Sequence, residues 1–158
     1  MNQPKKQLPA AFFIPPMLLG VSVLIFFLPW VTQQKVPATE QAVEQNMVFF
    51  KEMVDKYISL NHKIPQSIKE LYDDAKKNNY NKTFFNPILK HSGDMTNLQI
   101  VKQYTPEEII NINPSFSSPL YAGKTGYFPQ ATHYTIYGHS YEGKLLMRNS
   151  KLFQLGNY

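Results

Sequence analysis

The stretch YISLNHKIPQSIKEL, residues 57–71, decides where the first long helix of this chain stops and a second one starts. Pro65 cannot continue a helix, because it has no N–H to donate and its ring collides with the preceding turn. Asn61 is a residue type that tolerates the left-handed conformation common just after a helix. Ser67 and Glu70 form the S-x-x-E pattern of a capping box, which starts a new helix. The stretch therefore predicts a corner between two helices.

The helix before the corner is predicted from residue 38 to residue 60. Its apolar residues recur at helical spacing and lie on one face: Val43, Met47, Phe50, Val54, Tyr57 and Ile58. Lys51 and Asp55 are spaced to form an ion pair across one turn. After the corner, the second helix is expected from Ile68 to about Lys77. We expect the long helix to pack its apolar face into the core of a small domain.

Residues 10–31, AAFFIPPMLLGVSVLIFFLPWV, contain no charged side chain. A bilayer core requires roughly 20 predominantly apolar residues in a helix, so this segment is long enough for a membrane anchor. Lys5 and Lys6 precede it, whereas only Lys35 follows it closely, and Trp30 lies where an aromatic ring suits the headgroup region. This distribution favours a cytoplasmic N-terminus and an extracytoplasmic C-terminal domain.

The chain is therefore expected to have four parts. These are a cytoplasmic tail at residues 1–9, a transmembrane anchor at 10–31, a linker at 32–37 and an extracytoplasmic domain at 38–158. A cleaved signal peptide is an alternative, although its best cleavage site, residues 36–38, is far from the apolar core and contains a proline. A buried core helix is a second alternative, but so long an uncharged run would use up the core of a small domain.

Past the second helix, the pattern changes to turns and short strands. Asn86-Pro87 predicts a loop, and Leu98 to Val101 can form a short strand. Thr105 to Glu108 repeats the capping-box pattern and predicts one helical turn over residues 107–110. Residues 133–137, 144–148 and 151–155 are rich in strand-forming residues, with a turn between Gly138 and Gly143. We expect them to form an antiparallel meander, which makes the fold class α+β.

No residue pattern in the sequence points to catalysis, a cofactor or a metal. The chain has no cysteine, which excludes thiolate nucleophiles and cysteine-based zinc sites. Its four histidines, His62, His91, His133 and His139, lack zinc-motif spacing, and solvated or strand-surface positions are expected for them. Gly123 to Gly126 contains the letters GKT without the rest of a phosphate-binding loop, so a turn before a strand is expected. The formal net charge of +5 is spread along the chain, and nucleic-acid binding is not expected.

The C-terminal half is rich in aromatic residues that allow two interpretations. Aromatic residues on strands usually pack in the core or across strands, whereas an exposed cluster would favour contact with a partner, since tyrosine is enriched at interfaces. The candidate partner-binding surface consists of Tyr121, Tyr127, Phe128, Tyr134, Tyr137 and Tyr141.

The order of these elements resembles the type IV pilin and type II secretion pseudopilin family. Asn61 to Pro65 is similar to the joint that ends the long helix of that family, and Ser67 to Leu71 to the helix that follows it. Asn86-Pro87 resembles its Asn-Pro loop. Tyr134 to Gly138, with Glu142 to Lys144, resembles its pair of strands. The resemblance implies an α+β domain with a long helical spine that assembles with other proteins.

The chain departs from the family at the N-terminal segment. Gly20 is followed by Val-Ser-Val-Leu-Ile25, which has no glutamate at the fifth position, so neither a prepilin cleavage site nor family-style polymerisation is expected. A calcium site is not expected either, because the turn around Glu142 has no cluster of acids.

The sequence thus predicts a single-pass, membrane-anchored and non-enzymatic protein of the cell envelope. Its pilin-like domain would act by contact with a protein partner, in a secretion or pilus-type apparatus. The alternative from another class is a membrane-tethered ligand-binding module or enzyme, with a site among the C-terminal tyrosines and His133 or His139.

Overall fold

The computed structural model of the protein describes residues 38–110 and 117–157. Three α-helices lie in these ranges: α1 (Ala38–Asn61), α2 (Ile68–Lys77) and α3 (Pro106–Ile110). The predicted bounds of the first two helices are confirmed, and α3 confirms the helical turn after Thr105. Glu108 accepts a hydrogen bond from the Thr105 N–H at 3.0 Å, as its capping box requires.

Helix α1 forms the spine of the domain and buries the face that its apolar spacing predicted. Its buried side chains are Val43, Asn46, Met47, Phe50, Met53, Val54 and Tyr57. Asn46 is polar, and its amide bonds the backbone of Phe85 in both directions, donating to the carbonyl at 2.7 Å and accepting from the N–H at 3.1 Å. Lys51 and Asp55 form the expected ion pair at 2.5 Å.

The corner after α1 is organised around the carboxylate of Glu70. Oε1 accepts hydrogen bonds from the Tyr57 hydroxyl at 2.5 Å and from the Lys63 ammonium at 2.6 Å. Oε2 accepts from the N–H of Gln66 at 2.8 Å, and the Ser67 hydroxyl accepts from the N–H of Glu70 at 3.0 Å. The lysine bond, followed by the tyrosine bond, lowers the pKa of Glu70 to about 2. The predicted capping box is therefore present, with its carboxylate bonded one residue earlier than the motif requires.

Two details of the corner differ from or extend the prediction. The left-handed residue after α1 is His62, with φ of 53°, whereas Asn61 remains helical. The reason is local, because the Asn61 side chain donates back to the carbonyl of Tyr57 and the His62 N–H bonds the carbonyl of Ile58. The sheet also holds the corner, since the buried Tyr127 hydroxyl donates to the carbonyl of Pro65 at 2.7 Å.

The main sheet has four strands in the order β3-β4-β5-β8, and two short hairpins accompany it. The strands are β1 (Phe84–Asn86), β2 (His91–Gly93), β3 (Val101–Gln103), β4 (Thr125–Pro129), β5 (Tyr134–Gly138), β6 (Met147–Arg148), β7 (Lys151–Leu152) and β8 (Gln154–Asn157). Strands β3 and β4 are parallel, and the other pairs are antiparallel. Helix α1 packs across β4, β5 and β8. The α+β class is therefore confirmed.

The predicted C-terminal meander is confirmed in part: its second and third segments pair as β6 and β7, but its first segment meets the second only at the bridge between His139 and Leu145. Strand β5 pairs with β4 on one side and with β8 on the other, while β6 and β7 form a separate hairpin. Asn149 and Ser150, with φ of 50° and 61°, form the tight turn of that hairpin. The short strand predicted near Leu98 begins instead at Val101, because Asp94 and Asn97 hold the preceding residues in turns.

The predicted tail, anchor and linker, residues 1–37, lie outside the described residues. Among residues 38–110 and 117–157, no helix is long and apolar enough to cross a bilayer.

Candidate functional site

The structure places most of the candidate aromatic surface inside the domain. Tyr127 and Tyr134 have no exposed surface, and Phe128 and Tyr137 are buried as well. Tyr121 is half-buried, and Tyr141 is exposed. Tyr127 and Tyr134 belong to the core beneath α1, whereas Phe128 and Tyr137 belong to a second cluster with Tyr104 and Leu145 on the other face of the sheet. The part of the predicted surface that a partner can reach is therefore Tyr121 and Tyr141.

His139 is also buried, which corrects the expectation of a solvated or strand-surface position. Its Nδ1 lies 3.2 Å from the carbonyl oxygen of Gly143, an acceptor, so Nδ1 carries the proton. Nε2 then accepts from the hydroxyl of Tyr104. Burial lowers the pKa of His139 to about 4 from its ordinary value of 6.5. The ring is a neutral structural group that joins β5 to Tyr104, the residue that follows β3.

His133 lies apart from this buried ring, with Nδ1 3.4 Å from the hydroxyl of Thr132. In residues 38–110 and 117–157, no group of three or more histidine or acidic side chains is placed to hold a metal ion.

The candidate functional site is an open groove of about 750 Å³ between α2, β3 and the turn that precedes β4. We call it the α2–β3 groove. One wall comes from α2, with Ile68, Lys69, Tyr72 and Asp73. Apart from Thr96, the rest of the lining consists of Met95, Leu98, Val101, Lys102, Gln103, Leu120, Tyr121 and Lys124. Tyr121 is the residue of the candidate aromatic surface that belongs to this groove.

A single buried side chain, Asn86, ties the loops of the groove together. Its Nδ2 donates to the carbonyl of Gln99 at 2.7 Å and to that of Ala122 at 3.0 Å. Its Oδ1 accepts from the N–H groups of Ile88 and Leu89. The two Nδ2 bonds connect the loop before β3 with the turn before β4, and the two Oδ1 bonds hold the loop that follows Asn86 itself. The Asn-Pro pattern predicted a loop here, and the structure adds that its asparagine organises two distant segments.

Gly123 allows the turn to approach this asparagine. Its φ is +70°, a conformation that residues with a side chain rarely adopt. A Cβ at this position would lie 2.4 Å from Oδ1 of Asn86. The glycine therefore lets the turn and its neighbour Lys124 sit close to the first hairpin.

Two lysines give the groove a positive charge at its β3 end. The Lys102 ammonium bonds Glu108 at 2.7 Å and lies 5.4 Å from the ring centre of Tyr104 and 5.3 Å from that of Tyr121. Lys124 is half-buried and forms no ion pair with any carboxylate of residues 38–110 and 117–157. Burial, followed by repulsion from Lys102, lowers the pKa of the Lys124 ammonium. Its neighbourhood would therefore be stabilised by an anion.

The rim of the groove is apolar. Leu98 and Leu120 are 76% and 75% exposed, which makes them the two most exposed large apolar side chains in the described part of the chain. Sequence reasoning included neither of them nor Lys124 in a candidate site. The available signal was weak, because a leucine or lysine in a loop is common and only the folded positions bring these three together.

Comparison of the chain with models of protein families gave no match. Comparison with curated proteins and with solved structures gave none either.

Proposed function

We propose that this chain is a membrane-anchored, non-enzymatic protein of the cell envelope whose domain acts by contact with another protein. The observation that carries the proposal is the uncharged segment at residues 10–31, which precedes a helical spine whose apolar face is covered by its own domain. The apolar face of α1 is already packed in this core. The apolar segment before it therefore requires a different environment, and a bilayer supplies one.

A pilin or pseudopilin-like role, in a secretion or pilus-type apparatus, is the specific form of this proposal. It rests on the sequence motifs at Asn61 to Pro65 and at Ser67 to Leu71. The corner that these motifs encode sets a short second helix beside a long spine. The N-terminus would lie in the cytoplasm, and the domain outside the membrane.

Protein contact is favoured over small-ligand chemistry by the form of the α2–β3 groove. The groove is open, and its rim exposes Leu98 and Leu120. Exposed apolar side chains next to polar ones are typical of surfaces that bind other proteins.

Membrane extraction tests the anchor. We expect the full chain, expressed in its host, to stay in the membrane fraction during alkaline extraction. Replacing Leu24 and Ile25 with lysine should release it, because each lysine at the centre of a span costs about 2.5–3.5 kcal/mol on insertion scales. The matched control places two lysines at the exposed apolar positions Val48 and Leu60, and this variant should remain in the membrane. Release of the unmodified chain, with cleavage near Ala38, would refute the anchor.

Two further measurements test topology and class. Protease added outside spheroplasts should remove the C-terminal domain and leave the N-terminal tail intact. Purification from membranes in mild detergent should recover a protein partner in a fixed ratio. Recovery of a bound small molecule, lost when His133 is replaced by alanine, would support the membrane-tethered binding module or enzyme instead.

A further inference from the structure

We infer that the α2–β3 groove is where the partner docks, and that it binds an extended, acidic segment of that partner with a carboxylate next to Lys124. The inference rests on the proposed function and adds to it the location of the contact and the chemistry of the bound segment.

The charge of the groove argues for an acidic segment. Its lining contains three lysines, Lys69, Lys102 and Lys124, and one acid, Asp73. Lys69 pairs with Asp73 at 2.6 Å, and Lys102 pairs with Glu108, so both already have a carboxylate partner. Lys124 has none among the residues that the structure describes. A half-buried ammonium next to a second one gains from a carboxylate supplied by a partner, because the pair forms where water screens it poorly.

The apolar rim argues for a segment that also carries apolar side chains. Leu98 and Leu120 come from two different loops and border the same groove. Both have about three-quarters of their surface exposed. A small, fully polar anion such as phosphate would leave these side chains exposed. A peptide with apolar residues flanking its acid would cover them, and burial of apolar area favours binding by about 25 cal/mol per Å².

Strand β3 argues for a peptide rather than a lipid. It lines the groove and is the terminal strand of the four-stranded sheet. Within residues 38–110 and 117–157, β4 occupies one edge of β3 and no strand occupies the other. At that edge the N–H of Val101 bonds the carbonyl of Asn97. The remaining edge N–H and C=O groups can pair with an extended peptide and not with a lipid chain.

Site-specific photo-crosslinking in the native host tests the inference on the full membrane-bound chain. Benzoylphenylalanine replaces Leu98 or Leu120 in the groove. In two reference variants it replaces Val48 or Leu60, which are also exposed but do not line the groove. We expect crosslinks from positions 98 and 120, and mass spectrometry of the crosslinked peptides should place them in a segment with net negative charge.

Charge reversal at Lys124 provides the decisive comparison. Lys124→Glu should reduce the crosslink yield from position 120 at least tenfold, because it puts a like charge beside the docked carboxylate. Lys151→Glu reverses an exposed lysine outside the groove and should leave the yield unchanged. Replacing the acids of the crosslinked segment with lysine should restore crosslinking to the Lys124→Glu variant. Thermal unfolding of both variants checks that the domain is intact, and Lys124→Met, which removes the charge without reversing it, should give an intermediate yield.

Different results would overturn the inference and the proposed function separately. Crosslinks from positions 48 or 60 to a protein, with none from positions 98 and 120, would refute docking in the groove and leave the proposed function standing. Crosslinks from the groove to a neutral or basic segment, or to lipid, would refute the acidic peptide. Equal yields from the Lys124→Glu and Lys151→Glu variants would refute it as well. No protein crosslink from any of the four positions would count against both.

Discussion

Helix α2 borders two regions of the domain that differ in whether their charged side chains have partners. At its N-terminus, in the corner, the Glu70 carboxylate bonds Tyr57, Lys63 and the Gln66 N–H. On its groove side, the lining includes Lys124, which has no carboxylate partner among the described residues. The corner pairs its charged groups internally, whereas the groove leaves the half-buried Lys124 without a carboxylate partner among the described residues and two leucines exposed. The corner is therefore a region that stabilises the fold, whereas the groove is the region in which we infer that a partner binds.

The largest effect is expected from Asn86→Ala, which would break the groove's scaffold. The substitution removes four hydrogen bonds and leaves two carbonyls and two N–H groups to find other partners. Since each buried unsatisfied group costs about 1–3 kcal/mol, we expect a loss of about 3–5 kcal/mol in the free energy of unfolding. Urea denaturation measures it. Asn81→Ala, at an exposed position, is the control and should change stability by less than about 0.5 kcal/mol. Comparable losses in the two variants would show that Asn86 does not hold the groove together.

Acid should destabilise the sheet beside the groove through His139. Its pKa falls from 6.5 in the unfolded chain to about 4 in the fold, so the unfolded state binds the proton first as pH decreases. The contribution of neutral His139 to the free energy of unfolding is complete above pH 6.5. It decreases by up to about 1.4 kcal/mol per pH unit until about pH 4, or by about 3 kcal/mol in total. Urea denaturation at a series of pH values measures this slope.

The matched comparison for this slope uses two histidine replacements. His139→Gln removes the buried ring, and His62→Asn replaces an exposed histidine of the corner with a residue that tolerates a positive φ. The slope between pH 6.5 and 4 should be smaller in the His139 variant than in the His62 variant. Identical slopes would mean that the buried ring does not carry the effect.

Glu70→Gln tests the corner with a smaller expected loss. The amide keeps the shape of the side chain but loses the charge that strengthens the bonds from Tyr57 and Lys63. We expect a loss of about 1–2 kcal/mol at pH 7. The loss should shrink as pH falls from 4.5 toward 2, where the native carboxylate of the parent protein also becomes protonated. Lys69→Met, which breaks the exposed pair with Asp73, is the control and should cost less than about 0.5 kcal/mol. A loss at pH 7 no larger than that of the control would contradict the central role given to Glu70.

The smallest and sharpest contrast compares two lysines. Lys124→Met should raise the free energy of unfolding slightly, because burial and then repulsion from Lys102 disfavour the charge of this lysine. Lys63→Met should lower it, because Lys63 donates to Glu70 in the corner. Urea denaturation of both variants measures whether the free energy of unfolding increases or decreases in each. A destabilising Lys124→Met would mean that this lysine already has a stabilising partner in the fold.

The helices could be predicted closely because their determinants are local. The bounds of α1 and α2 follow from helical spacing, Pro65 and the Ser67 cap, all of which act within one or two turns. The strands were predicted less well. Strand β4 begins at Thr125, inside a segment whose glycines indicated a turn, and its partners β3 and β5 lie on both sides of it. Pairing of that kind depends on residues far apart in sequence, which spacing does not reveal.

The candidate site shows the same limit more strongly. The abundance of tyrosine in the sequence was consistent with packing in the core or with an exposed binding surface. The fold buries Tyr127 and Tyr134 and places Tyr121 at the groove. Leu98, Leu120 and Lys124 carry no local pattern, so their common position could not be predicted from spacing.

By itself, the sequence determined the α+β class, the two helices and the corner between them, because caps, prolines and helical periodicity act over a few neighbouring residues. The tertiary structure decided the strand order, the burial of His139 and the meeting of Lys124 with the two exposed leucines. The last of these depends on contacts such as those of Asn86, which joins Gln99 to Ala122, and contacts at such sequence separations exist only once the chain has folded.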